Sequence, residues 1–156
     1  MRIKLLFASA VVVIAACTKG DTPPAADTSM PVATETPQAP ITLASVAGKW
    51  NVYVMGQSSD SVVATNVVTF TENPAGGSFR FPGGPLIPVR NLTASGDSIT
   101  YEAGPFASAV RKGMRVSNRV AVTLHDGNLV GNVTARYQTT RPDSVRQFRI
   151  AGTRAQ

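Results

Sequence analysis

The chain has one cysteine, Cys17, and one histidine, His125, among its 156 residues. A lone cysteine excludes an internal disulfide framework, so a hydrophobic core must hold any fold by itself, which ~110 residues can manage. One histidine without cysteine partners excludes the usual zinc sites. Charged side chains make up 15% of the sequence and hydrophobic ones 43%, a balance too apolar for a disordered chain. The apolar run from Leu5 to Ala16 falls short of the ~20 residues that a helix needs to cross a membrane. The glycines of Pro82-Gly83-Gly84-Pro85 lack the lysine and helix of a phosphate loop and mark a turn. Lysine and arginine outnumber aspartate and glutamate by 15 to 9. From Ser45 onward 12 basic face 6 acidic residues, which favours anionic partners. The cations are not clustered in runs, and nucleic acid is not expected as a partner.

No catalytic constellation stands out. His125 lies beside the Asp126-Gly127 turn, so Asp126 is explained by the turn and not by a triad. The acids Asp60, Glu72, Asp97, Glu102, Asp126 and Asp143 mostly fall at turns or strand ends. The expectation is a non-enzymatic protein without metal or cofactor. The competing enzyme reading needs two of these carboxylates to converge in a cleft.

What the N-terminus does have is a layout. Arg2 and Lys4 precede the apolar run, and small residues follow, the order of a secretory signal peptide. Ile14-Ala15-Ala16-Cys17 resembles the lipobox of bacterial lipoproteins. That resemblance implies cleavage before Cys17, lipid on its sulfur and usually an acylated amine. Thr18 is not the aspartate that retains such proteins at the inner membrane, so the resemblance implies the cell envelope, at the periplasmic face of the outer membrane in a Gram-negative cell. Residues 17–44 then read as the lipidated cysteine and a disordered, semi-stiff tether, because Pro23, Pro24, Pro31, Pro37 and Pro40 are mixed with small polar residues.

Residues 45–156 read as one all-β domain. Trp50, Val52 and Val54 alternate, as do Phe79 and Phe81, and Ile99 and Tyr101. Pro88 argues for an edge or a bulge. Pro105, Gly113, Arg111 and Lys112 are placed as the start, end and C-terminal cations of a short helix over 105–112. Asp126-Gly127 is a type I′ hairpin turn. Folding about it opposes Leu124 to Leu129, Val122 to Gly131, Val120 to Val133 and Val116 to Tyr137, on one dry face. A further turn at Thr140-Arg141-Pro142-Asp143 is expected to oppose Ala135 to Phe148, Val133 to Ile150 and Gly131 to Gly152, where two bare glycines would admit a large ring.

About eight strands joined mostly by short turns predict an antiparallel up-and-down meander closing into a small barrel, with a β-sandwich as the alternative. Gly48-Lys49-Trp50 at the first strand resembles the Gly-x-Trp motif of lipocalins. In that family the tryptophan plugs one end of the barrel and an arginine of the last strand packs over it; Arg149 or Arg154 would fill that role here. The domain is shorter than a typical lipocalin, which argues against a roomy cavity. The resemblance implies binding of a small apolar or amphiphilic ligand, with Trp50, Phe79, Phe81, Ile99, Tyr101, Val122 and Phe148 as the candidate lining. If those side chains fill the middle, the binding reading fails. The alternative is an interaction module with a solid core. In the expected register Arg115, Arg119, Arg136 and Arg149 share the outer face of three strands, with Arg119 and Arg149 flanking Thr134. Arginine forks suit phosphate and carboxylate, so this face would dock a protein or an anionic envelope component, or simply stay solvated.

Overall fold

A computed structural model describes residues 40–156 of the chain. The expected signal peptide, Cys17 and most of the tether lie outside the described residues. Eight strands follow a single helical turn, α1 (Leu43–Val46): β1 (Gly48–Gly56), β2 (Val62–Phe70), β3 (Gly77–Arg80), β4 (Ile87–Ser95), β5 (Ser98–Ala107), β6 (Arg115–His125), β7 (Asn128–Tyr137) and β8 (Val145–Arg154). Each strand pairs antiparallel with its neighbour in sequence, and β8 returns to β1, closing an eight-stranded up-and-down barrel. The alternation visible in the sequence is what fills it. Trp50, Val52 and Val54 of β1 point inward, as do Ile99, Tyr101 and Ala103 of β5, and Val116, Val120 and Val122 of β6.

The β6–β7 hairpin has the expected register: Leu124 opposes Leu129, Val120 opposes Val133 and Val116 opposes Tyr137. Asp126 and Gly127 both have positive φ, +50° and +76°, as a type I′ turn requires. The next register differs from expectation by two residues. Val133 opposes Phe148, Gly131 opposes Ile150 and Leu129 opposes Gly152; Thr134 lies opposite Gln147, not Arg149. A shift of two preserves which face is buried, so the inward set survives while the partners change. The cause is the connection. Ser144 N–H bonds Arg141 O at 3.1 Å, making a turn of its own, and the ladder resumes where Tyr137 N–H bonds Ser144 O at 2.7 Å. The two glycines therefore do not meet, and no ring lies across them. Gly131 is needed for close approach instead: a Cβ there would sit 2.0 Å from Ala121 O and 2.8 Å from Val122 Cα.

The expected helix over 105–112 is absent. That stretch is the end of β5 and a loop, because β6 offers a full ladder of partners and tertiary pairing overrides the local helix signals. A bulge between Ala103 and Phe106 turns Phe106, not Pro105, into the core. The helix that does form, α1, starts two residues inside the expected tether boundary. Thr42 and Ser45 form a reciprocal capping box, each side chain accepting from the other's backbone N–H at 3.2 Å. Ile41, with its N–H bonded to Gly96 O at 2.9 Å, and Val46 are buried against the barrel. The unit Thr36–Gln156 is compact by itself. Its helix, eight strands and core all lie between Ile41 and Arg154, so it contains everything this fold requires.

Candidate functional site

The two ends of the barrel are built differently. At one end gather α1, the β2–β3, β4–β5 and β6–β7 turns, and the C-terminus. Here Trp50 is wholly buried, and its indole N–H donates to Val46 O at 2.7 Å. The guanidinium of Arg154 lies 4.5 Å over the Trp50 ring and donates to Ala47 O at 2.9 Å and Ser45 O at 2.8 Å. The last-strand arginine is thus Arg154. Arg149 reaches the other way, donating to Asp60 Oδ1 at 2.7 Å and Ser59 O at 3.1 Å. Val46, Val68, Ile99, Val122 and Leu129 pack solidly in this plugged half.

The other half, termed the open end, is not filled. A cavity lies between Phe79, Phe81, Tyr101, Phe106 and Phe148, beneath Ala109 and Val110 of the β5–β6 loop. Its volume is about 50 Å³, against ~300–1,000 Å³ for pockets that take drug-sized ligands. Phe79 packs edge-on to Phe81 and Phe106, with centroids 5.6 and 5.3 Å apart. Tyr101 is packed edge-on to Phe70 at 5.5 Å, and burial pushes its hydroxyl well above the usual phenol range, so it stays a neutral donor. Of the seven expected lining residues, Phe79, Phe81, Tyr101 and Phe148 line this cavity. Trp50, Ile99 and Val122 do not; they belong to the plugged half, where large side chains already fill the barrel.

Two amide side chains of the lining escaped the sequence reading. Asn66 of β2 and Asn118 of β6 both line the cavity. Their Oδ1 atoms are the buried side-chain oxygens without a hydrogen-bond partner among the described residues. A signal was there. Asn66 interrupts the inward series Ala64, Val68, Phe70, and Asn118 interrupts Val116, Val120, Val122. A polar residue in an apolar inward series is costly unless something pairs with it.

A loop covers the mouth. Ser108 Oγ accepts from Arg111 N–H at 2.9 Å and Val110 N–H at 3.2 Å, turning the β5–β6 loop inward. Arg111 stacks over Tyr137 at 4.5 Å and grips Asp143 of the β7–β8 loop through side chain and carbonyl. Arg111 beside Asp143 holds that carboxyl below its ordinary range.

The four arginines of the expected outer face do not act together. Arg119 and Arg136 are diagonal neighbours on β6 and β7, beside a groove that also takes in Arg90 and Glu102. Arg115 is turned to Pro105 O at 2.7 Å, and Arg149 is committed to Asp60. His125 is exposed, 3.1 Å from Asp126. Among the described residues no three His, Cys, Asp or Glu side chains converge on a metal-sized site. Compared with family models, with curated proteins and with solved structures, the chain matches none.

Proposed function

We propose that this protein is a non-enzymatic, lipid-anchored protein of the cell envelope whose barrel binds a compact amphiphile, or the tip of a longer one, in its open half. The observation that carries the reading is the pair of unpartnered amide oxygens, Asn66 Oδ1 and Asn118 Oδ1, inside a cavity walled, apart from Ser108, by aromatic and aliphatic side chains. Such acceptors call for a donor, such as a hydroxyl, amine or amide N–H, on an otherwise apolar ligand. The small volume limits what enters to a few heavy atoms; anything longer must leave through the mouth beneath the Arg111–Asp143 strap. Anchorage rests on the lipobox resemblance at Cys17.

Native mass spectrometry of Thr36–Gln156 after a mild purification tests the binding half. A reproducible extra mass, lost on denaturation and reduced in the Phe79→Ala and Asn118→Leu variants, is expected. A bare mass, together with no uptake of short-chain alcohols or amines added at millimolar concentration, refutes it. Labelling cells with a radioactive fatty acid tests the anchor: label is expected on the protein and lost in Cys17→Ala.

The alternative is a docking module that uses the outer face. Arg119 and Arg136, exposed and without side-chain partners among the described residues, support it. Pull-down from envelope extract at low and high salt separates the two readings, since only docking through charge is lost at high salt.

A further inference from the structure

The up-and-down topology sends four connections to the open end: β1–β2, β3–β4, β5–β6 and β7–β8. Each carries, in the loop or on the strand residue bordering it, one exposed aliphatic side chain. These are Val62 (52% exposed), Leu86 (67%), Val110 (40%) and Val145 (42%). The plugged-end turns carry no exposed large hydrophobic residue. The other exposed large hydrophobic residues among those described, Tyr53, Val63 and Val130, lie within strands, so the rim is where such side chains gather.

The charges are sorted by end as well. The open-end loops and their flanks hold Arg80, Arg111, Lys112, Arg115, Arg141 and Arg146 against only Asp60 and Asp143. Both acids are already engaged, Asp60 by Arg149, and Asp143 by Arg111 and Arg146. Lys112 and Arg141, in two different loops, have no side-chain partner among the described residues and are exposed. The plugged-end turns and their flanks hold Lys49 and Arg154 against the acids Glu72, Asp97 and Asp126. The open end therefore carries the excess of positive charge, and the same end bears the apolar tips.

We propose that the open end of the barrel docks end-on onto an anionic lipid bilayer, with the Leu86 and Val62 tips entering the interface and Lys112 and Arg141 meeting the headgroups. Cations alone would suit an acidic polymer equally. The tips decide for a bilayer, because only a bilayer offers an apolar phase within reach of the same anionic groups. This surface is distinct from the Arg119–Arg136 side wall, and the inference does not depend on what the cavity holds.

The test is co-sedimentation of Thr36–Gln156 with vesicles of phosphatidylcholine alone, or with phosphatidylglycerol added, at low and high salt. Binding is expected only with phosphatidylglycerol and only at low salt. Each cation removed should lower partitioning about fivefold, the equivalent of about 1 kcal/mol per basic residue near the surface. Lys112→Ser with Arg141→Ser should therefore cost roughly 30-fold, while Lys49→Ser, exposed at the plugged end, leaves binding unchanged. A tryptophan reporter, Leu86→Trp, should shift its emission to the blue on phosphatidylglycerol vesicles. Circular dichroism and melting confirm that each variant is folded. No binding to phosphatidylglycerol at low salt overturns the inference. So does binding that Arg119→Ser with Arg136→Ser abolishes and the loop pair does not, and so does binding without a blue shift from the Leu86→Trp reporter.

Discussion

Replacing Asn118 by leucine sets stability against binding. Asn118 points inward from β6, between Ala103 and Ala135 on the neighbouring strands, and its Oδ1 has no partner among the described residues. An unsatisfied buried acceptor costs about 1–3 kcal/mol. Leucine has the same branched shape and number of heavy atoms with bulkier methyl ends, carries no polar atom and sits beside Val116 and Val120 of the same inward series. Asn118→Leu should therefore stabilise the ligand-free barrel by about 1–2 kcal/mol, since some of the gain is lost to imperfect packing. For a domain of this size ~1 kcal/mol moves Tm by about 4 °C, so the variant should melt roughly 4–8 °C higher. The same change removes an acceptor that the bound amphiphile needs, so affinity should fall at least tenfold. Differential scanning calorimetry and titration of the same preparation give both numbers. A variant that melts below the parent refutes the reasoning, because the oxygen would then be satisfied in the empty protein and would owe nothing to a ligand.

Arg154→Met should cost about 2–3 kcal/mol, or roughly 8–12 °C in Tm, by removing two charge-assisted hydrogen bonds to α1 and the cation–π contact over Trp50; a red shift of Trp50 emission should accompany it, and an unchanged Tm would show that the plug holds without its clamp. Gly131→Ala places a methyl group against the backbone of β6, where a few tenths of an ångström of relief are not enough, so loss of about 3 kcal/mol or failure to fold is expected by calorimetry. Asp143 is held below its ordinary range chiefly by its hydrogen bond from Arg111. Its stabilising contribution is thus complete above the unfolded value of about 4 and disappears as pH falls through the lower native value. The gap in Tm between the parent and Asp143→Asn should accordingly be constant from about pH 5 to 7 and close below about pH 4; a gap that persists to pH 2 would exclude this origin.

Local signals decided much of the fold before any tertiary contact was known. Alternation at Trp50, Val52 and Val54, at Ile99 and Tyr101, and along β6 and β7 chose strands and their buried face, because side-chain direction in a strand depends only on parity. Asp126-Gly127 fixed a register over ten residue pairs, because a two-residue turn with positive φ leaves the strands no freedom to slip. Where the determinant was non-local, sequence reasoning went astray. The β7–β8 register was displaced by a seven-residue connection whose Asp143 is gripped by Arg111, 32 positions away. The 105–112 segment has the residues of a helix and became strand and loop because β6 lay ready to pair with it.

The candidate site divides along the same line. That the barrel has an aromatic interior was readable from Phe79, Phe81, Tyr101 and Phe148. Which half of the interior is solid was not, since Trp50, Ile99 and Val122 look no different from them in a one-dimensional pattern. Only closure of the barrel puts Trp50 under α1 at one end and brings Asn66 and Asn118, 52 positions apart on strands that never pair, to the same cavity. Parity says inward or outward; it carries no coordinate along the barrel axis. That coordinate comes from the stagger of all eight strands together, so the sequence determined an antiparallel meander with one dry face, and the tertiary structure decided that it closes and which end is left unfilled.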